Sequence, residues 1–315
     1  MMKRILFALV ALIGLLSSCG GGKTNEQAGD VLRIGVMPSI DHLPIAIALE
    51  HGYYDSLGLQ LELVRFSSPM ERDAALQAGE IDGTVSDYTT VMLQHQKGLP
   101  VQLLFALDGT FAFVANPSAG VASVADLRGK RVGLSSNTVI EYATDKLVAE
   151  AGMAATDVEK VEVQKIPLRL EMLAKGELDA AVLPQPFAQI ALDRGLSHIP
   201  GVLGVGAGQL HVTALALNAD KLRGREATLL KLIAGYNKAA DFLNGQPISE
   251  WSAVAARELK VDEEVVNRMS FGLFAHATAP TSGDIKAVAQ WLQAKGLIPA
   301  SYTGQEAIMP MPAAK

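Results

Sequence analysis

Groups able to act as nucleophiles, bases or metal ligands are few and scattered along this chain. It has one cysteine, Cys19, and six histidines, His42, His51, His95, His198, His211 and His276. No two histidines stand at a metal-ligand spacing, and no Gly-x-Ser-x-Gly elbow is present to expose a nucleophilic serine. Ser86, Asp87 and His211 can be assembled on paper into a triad, as can similar residues in most chains of this length, so catalysis is not expected from them. The chain therefore reads as a non-enzyme that needs neither a metal nor an organic cofactor. A lone cysteine also excludes an internal disulfide.

The polar residues that do cluster stand just past short apolar runs. Ser39, Asp41 and His42 follow Leu32 to Val36; Ser86, Asp87 and Tyr88 follow Gly83 to Val85; Asp108 follows Val101 to Leu107. Ser135, Ser136, Asn137 and Thr138 follow Arg131 to Leu134, and Gln185 follows Ala180 to Leu183. Hydroxyls, amides and carboxylates beside unpaired N–H groups at helix starts suit the holding of a small polar molecule, and these residues are the candidate ligand contacts. Each has a structural alternative. Asp41, Asp87 and Thr138 suit helix capping, Ser135 to Asn137 and Asp108 suit turns, Tyr88 suits a core position, and His42 suits a hydrogen-bonded structural role. Three carboxylates near the first rim, with no Arg or Lys in these segments, disfavour sulfonate or nitrate and favour a neutral or cationic nitrogen-bearing ligand.

Alternating strands and helices must position these groups. An internal echo organises them: Leu76-Gln-Ala-Gly-Glu-Ile-Asp-Gly-Thr-Val85 recurs as Leu173-Ala-Lys-Gly-Glu-Leu-Asp-Ala-Ala-Val182, and Arg33-Ile-Gly-Val36 recurs as Arg131-Val-Gly-Leu134. Two copies imply two related lobes and not a solenoid. Strands are expected at Leu32 to Val36, Gln60 to Arg65, Gly83 to Val85, Val101 to Leu107, Phe111 to Ala115, Arg131 to Leu134, Val161 to Lys165, Ala180 to Leu183 and His211 to Leu217. Capping boxes at Ser68 to Glu71 and Thr138 to Glu141 open helices, while Gly79 and Gly152 close them. The Gly201 to Gly208 stretch precedes a strand, which argues against a dinucleotide loop and for a linker. The remainder is mostly helical, with amphipathic spacing such as Leu229, Ile233, Tyr236 and Ala240.

The expected fold is α/β with two lobes, each a mostly parallel sheet flanked by helices, and a ligand cleft between them. Lobe I takes residues 31–117 plus 210–315, and lobe II takes 118–209. Hinges are expected near Asn116 to Ala119 and Gln209 to His211. A formal charge of −6, with no basic run past residue 4, argues against nucleic acid as a partner.

Residues 1–18 resemble a bacterial lipoprotein signal. Lys3 and Arg4 form a basic start, Ile5 to Leu16 an apolar run too short to span a membrane, and Ser17-Ser18-Cys19 a lipobox. The resemblance implies cleavage before Cys19, lipidation there, and a flexible tether over 19–30. More than one acyl chain then gives stable anchoring.

A second resemblance covers about Leu32 to Ala188. Met37-Pro38, Ala46, Gly52-Tyr53-Tyr54 and Gly58-Leu59 are similar to the opening of NMT1/SsuA-like solute-binding proteins of ABC importers. Asp126-Leu-Arg-Gly-Lys-Arg-Val132, Gly176-Glu-Leu-Asp-Ala180 and Pro186-Phe187-Ala188 resemble their later motifs in the same order. At the position before the proline–aromatic pair, where many relatives are acidic, this chain has Gln185. The resemblance implies a type 2 periplasmic binding protein fold and a monomer, exported and lipid-anchored to a bacterial membrane. Its partners would be an ABC permease and its ATPase subunit. The ligand would be a nitrogen-containing heterocycle or thiamine-pyrimidine precursor; the alternatives are an aliphatic sulfonate, taurine or nitrate, or, in another class, an exported enzyme or a ligand sensor.

Overall fold

Two five-stranded sheets organise the computed structural model, which describes residues 31–199 and 212–313. The expected signal, Cys19, the expected tether, the glycine-rich stretch expected to be a linker, and His211 lie outside the described residues. In chain order the first part comprises β1 (Leu32–Val36), α1 (Leu43–Glu50), α2 (Tyr53–Ser56), β2 (Leu61–Arg65), α3 (Pro69–Ala78), β3 (Gly83–Asp87), α4 (Tyr88–Gln96) and β4 (Val101–Leu107). There follow β5 (Phe111–Ala115), β6 (Arg131–Leu134), α5 (Val139–Glu150), β7 (Glu159–Glu162), α6 (Ile166–Ala174), β8 (Ala180–Pro184), α7 (Phe187–Asp193) and β9 (Ser197–His198). The chain then returns through β10 (Thr213–Asn218), α8 (Ala219–Leu222), α9 (Glu226–Gly245), α10 (Ser252–Leu259), α11 (Glu263–Arg268) and α12 (Ser282–Ala294).

The sheet orders are β2-β1-β3-β10-β4 and β7-β6-β8-β5-β9. Each has one antiparallel strand at the same place, β10 in the first and β5 in the second. Both are the strands with which the chain enters a lobe after crossing from the other, so the duplicated sequence builds a duplicated sheet with exchanged connections. Phe111–Ala115 thus belongs to the second sheet, and the first crossing lies between Leu107 and Phe111. That moves the expected lobe boundary from residue 117 and the expected first hinge from Asn116 to Ala119. Asn116 is fastened inside the second lobe, its backbone N–H to Asp179 and its side-chain amide to the Leu173 carbonyl. The expected strand at Val161 to Lys165 is instead Glu159–Glu162, in register with β6.

Local chemistry explains the echo. Ser68 accepts from the Glu71 N–H at 3.3 Å and Pro69 fixes the first turn of α3, while the Glu71 carboxylate reaches back to Ser67 and not to the cap residue. Gly79 and Gly176 end α3 and follow α6 at φ +74 and +75, a conformation L side chains disfavour. Three residues further on, Asp82 accepts from the Arg33 N–H and Asp179 from the Arg131 N–H, each at 2.8 Å. The repeated Gly-Glu-x-Asp is therefore a brace between a helix end and β1 in the first lobe, β6 in the second. At the second box, Thr138 accepts from the Ile140 N–H, and Glu141 turns to the Asn137 N–H and to Lys160 and Lys295.

The lobes share a core. Tyr88, Val91 and Met92 of α4, Ile140, Tyr142 and Ala143 of α5, and Ile285, Val288 and Leu292 of α12 form part of one buried cluster. Polar links reinforce that seam: Trp291 Nε1 donates to Asp145 at 3.0 Å and Lys295 Nζ to Glu141 at 2.5 Å. On another face Arg268 pairs with Asp193 at 2.8 Å, joining α11 to α7. No helix among the described residues is long and apolar enough to cross a membrane.

Candidate ligand-binding cleft

A cavity of about 70 Å³ lies where the two lobes face each other. The carboxyl ends of β1, β3, β6 and β8 and the amino ends of α3, α5 and α6 converge on it, the placement expected for a ligand site in open α/β sheets. The crossing strands add their starts: Phe111 of β5 and Thr213 of β10 line the cavity beside Gly109 and Thr110. Thr213 is held there by its hydroxyl, which donates to the Leu107 carbonyl at 3.0 Å. Ile40, Val85, Val139, Ile140 and Ile166 supply apolar walls.

Of the residues expected from sequence, the structure brings together Ser39, Asp41, Ser86, Asp87, Ser135 and Thr138 on this cavity. Ser136 and Asn137 lie on an adjoining groove. Four are elsewhere. His42 is buried with its Nε2 3.6 Å from the Glu258 carboxylate of α10. Tyr88 is fully buried in the shared core. Asp108 accepts from the Ala275 N–H, and the Gln185 amide oxygen accepts from the Gln189 N–H in α7. Each of these four satisfies local packing or backbone, which spacing after a strand does not distinguish from a ligand role.

The capping alternatives are also realised. Asp87 accepts from the Thr90 N–H at 2.8 Å and so caps α4 while lining the cavity. Thr138 gives its hydroxyl proton to the Ser135 carbonyl, and Ser136 is tied through N–H and hydroxyl to Glu162. Burial pushes the carboxyls of Asp41 and Asp87 above the usual range, against the hydrogen bonds from Ser39 and Thr89 and the charge of Arg72.

Two arginines were missed. Arg72 of α3 and Arg169 of α6 both line the cavity and are both buried, which removes the premise that the pocket lacks cationic side chains. Their situations differ. Arg169 donates to Val163, Val182 and Ser135, and burial lowers its pKa to about 10. Arg72 donates to Val85 and Asp73, but its Nη2 has no hydrogen-bond acceptor; it lies 2.9 Å from Asp73 at an angle that supports an ion pair only. The Ser86 hydroxyl is likewise buried and unpartnered. Orphan donors on a cavity wall are groups that a ligand can satisfy. A signal for the arginines existed: each stands four residues before the leucine that opens the echo, Leu76 and Leu173.

The wall thus carries two guanidiniums and two carboxylates, an arrangement that binds and orients by hydrogen bonding. Among the described residues no cluster of His, Cys, Asp or Glu is arranged to hold a metal ion.

Known proteins agree with this architecture. The alkanesulfonate-binding protein SsuA from Xanthomonas axonopodis pv. citri, solved bound to MOPS, superposes with a TM-score of 0.74 at 17% identity, over 89% of this chain and 98% of that one. A Haemophilus influenzae protein named for thiamine biosynthesis is 25% identical over 278 residues, 84% of this chain and 87% of its own. A Brachyspira hyodysenteriae protein named as an ABC transporter periplasmic binding protein is 22% identical over 268 residues, 80% of this chain and 75% of its own. The family described as NMT1/THI5 like matches residues 39–248, two thirds of the sequence, and the chain belongs to that family.

Proposed function

We propose that this protein is the solute-binding component of an ABC importer. It captures a small polar molecule between its lobes, without chemical change, and delivers it to a permease and its ATPase subunit. It is exported and acts as a monomer held to a membrane through lipid on Cys19. The two-sheet fold, the interlobe cavity and the names of the relatives support this reading. Closure of one lobe on the other traps the ligand.

The ligand is a nitrogen-containing heterocycle of the thiamine-pyrimidine kind. One observation carries this: Asp41 and Arg72 line the same cavity, and the Arg72 Nη2, ion-paired to Asp73, has no hydrogen-bond acceptor among the described residues. An aminopyrimidine edge sets an amino donor beside a ring-nitrogen acceptor, so a carboxylate and a guanidinium answer both; a simple anion answers only the guanidinium. Aliphatic sulfonate is the second reading, favoured by the presence of Arg72 and Arg169 together. Calorimetry of the mature protein with a 4-aminopyrimidine, ethanesulfonate, taurine and nitrate tests the choice. Tight binding of the pyrimidine alone is expected; tight binding of ethanesulfonate with none of the pyrimidine overturns the heterocycle. With the reconstituted permease, ligand should stimulate ATP hydrolysis, whereas product formation without any partner would make the protein an enzyme.

A further inference from the structure

The cavity does not end at its own walls. Pro69, Ser135 and Thr138 also line a second, larger space of about 250 Å³ that runs between α3, α4 and the start of α5. The two adjoin at those three residues. At roughly 10–15 Å³ per water-sized group, the inner cavity has room for only a compact head, whereas the groove takes a longer substituent.

The groove is built to hydrogen-bond. Gln94 of α4 lines it, is 8% exposed, and makes no side-chain hydrogen bond among the described residues. Gln77 and Gln164 line it from α3 and from the segment before α6, and Lys97 stands at its end without a carboxylate partner among the described residues. An amide with no protein partner among the described residues keeps its donors and acceptor for whatever enters the groove. Three carboxamides, each both donor and acceptor, match hydroxyl groups, which are also both; a phosphate would find a single lysine and the Asp73 carboxylate nearby.

We infer that this groove is a tail subsite, and that the ligand is bipartite: a compact head in the inner cavity and an uncharged polyhydroxylated chain against Gln94, Gln77 and Gln164. The inference deepens the heterocycle reading and rests on it for the head. It assigns the outer half of the cleft to length and polarity selection.

The test uses matched pairs that differ only in the tail, titrated into the full mature chain: cytosine against cytidine and adenine against adenosine, with ethanesulfonate against a hydroxylated longer sulfonate as a second series. In the series that binds, the extended member should bind at least tenfold tighter, the increment of two or three net hydrogen bonds. Gln94→Leu should erase most of that increment and leave head affinity unchanged, and the exposed-site variants Gln77→Ala and Lys97→Ala guard against a folding defect in the first. A phosphorylated tail exceeding the neutral one, an extended member that gains less than twofold, or an increment untouched by Gln94→Leu and Gln77→Ala overturns the subsite. Heterocycles silent while sulfonates bind overturns the head reading alone, and the tail is then decided in the sulfonate pair. Silence in both series overturns both.

Discussion

Arg72 and Arg169 occupy one position in two lobes. Each stands in the first turn of the helix that leads into the central parallel strand of its lobe, β3 or β8, and each donates to the carbonyl of that strand's middle residue, Val85 at 3.1 Å and Val182 at 3.3 Å. The duplication then diverges. In the second lobe every nitrogen of the guanidinium donates, to Val163, Val182 or Ser135, so three segments are tied by one side chain. In the first lobe Nη2 has an ion-pair partner in Asp73 but no hydrogen-bond acceptor. Arg169→Ala should therefore destabilise by about 2–4 kcal/mol, because it leaves buried carbonyls of Val163 and Val182 without a donor. Arg72→Ala should cost less in urea denaturation but lower ligand affinity at least tenfold. Equal effects of the two variants on both measurements would contradict the division of labour.

Asp41 sets stability against binding. Burial raises its carboxyl pKa in the folded chain, so at neutral pH the folded state carries a penalty that the unfolded state does not, and that penalty is relieved as pH falls through the folded value. Asp41→Asn should raise the melting temperature of the ligand-free protein at pH 7 while weakening binding of the pyrimidine. A lower melting temperature together with unchanged binding would exclude that role.

Glu258 works in the opposite direction. Burial pushes its pKa up, but the hydrogen bonds and charge of Arg65, with the His42 ring nearby, outweigh burial and hold it at about 2. Arg65 reaches both carboxylate oxygens at 2.7 Å. A depressed folded pKa contributes stability above the unfolded value of 4.5, lost as pH falls through about 2. The contribution is on the order of 3 kcal/mol by that linkage. Unfolding free energy measured between pH 5 and 2 should fall steeply in the native protein and more gently in Glu258→Gln.

Gly235 permits a close crossing. A Cβ there would lie 2.3 Å from the ring of Tyr54, which is fully buried and has no room to rotate away. Alanine would gain roughly 1 kcal/mol of helix propensity, but overpacking a rigid ring costs about 1–3 kcal/mol. Chemical denaturation of Gly235→Ala should show a net loss, and a net gain would mean that α9 shifts freely on α2.

The alternation of strands, the echo and the punctuation at Ser68, Gly79 and Asp87 were legible because each reflects local chemistry: caps, left-handed turns and apolar runs. The lobe boundary was not. Phe111–Ala115 reads the same whether it pairs with β4 or with β8, and only the long-range register decides. The site was half legible for a similar reason. Polar residues after strand ends fall near the cleft, yet the rule cannot tell Asp41 from Asp108, which a distant N–H of Ala275 claims. Arg72 and Arg169 escaped because buried arginines within amphipathic helices look like solvent-facing ones until their carbonyl acceptors are known.

The exchanged connections bear on how such a chain matures. In the first sheet β10 fills the gap between β3 and β4, so that sheet stays split until residues beyond 212 have been synthesised. The second sheet needs nothing outside 111–198. During translation or translocation from the amino end, the later lobe can finish first, and the earlier one waits, open at its centre, for the returning strand.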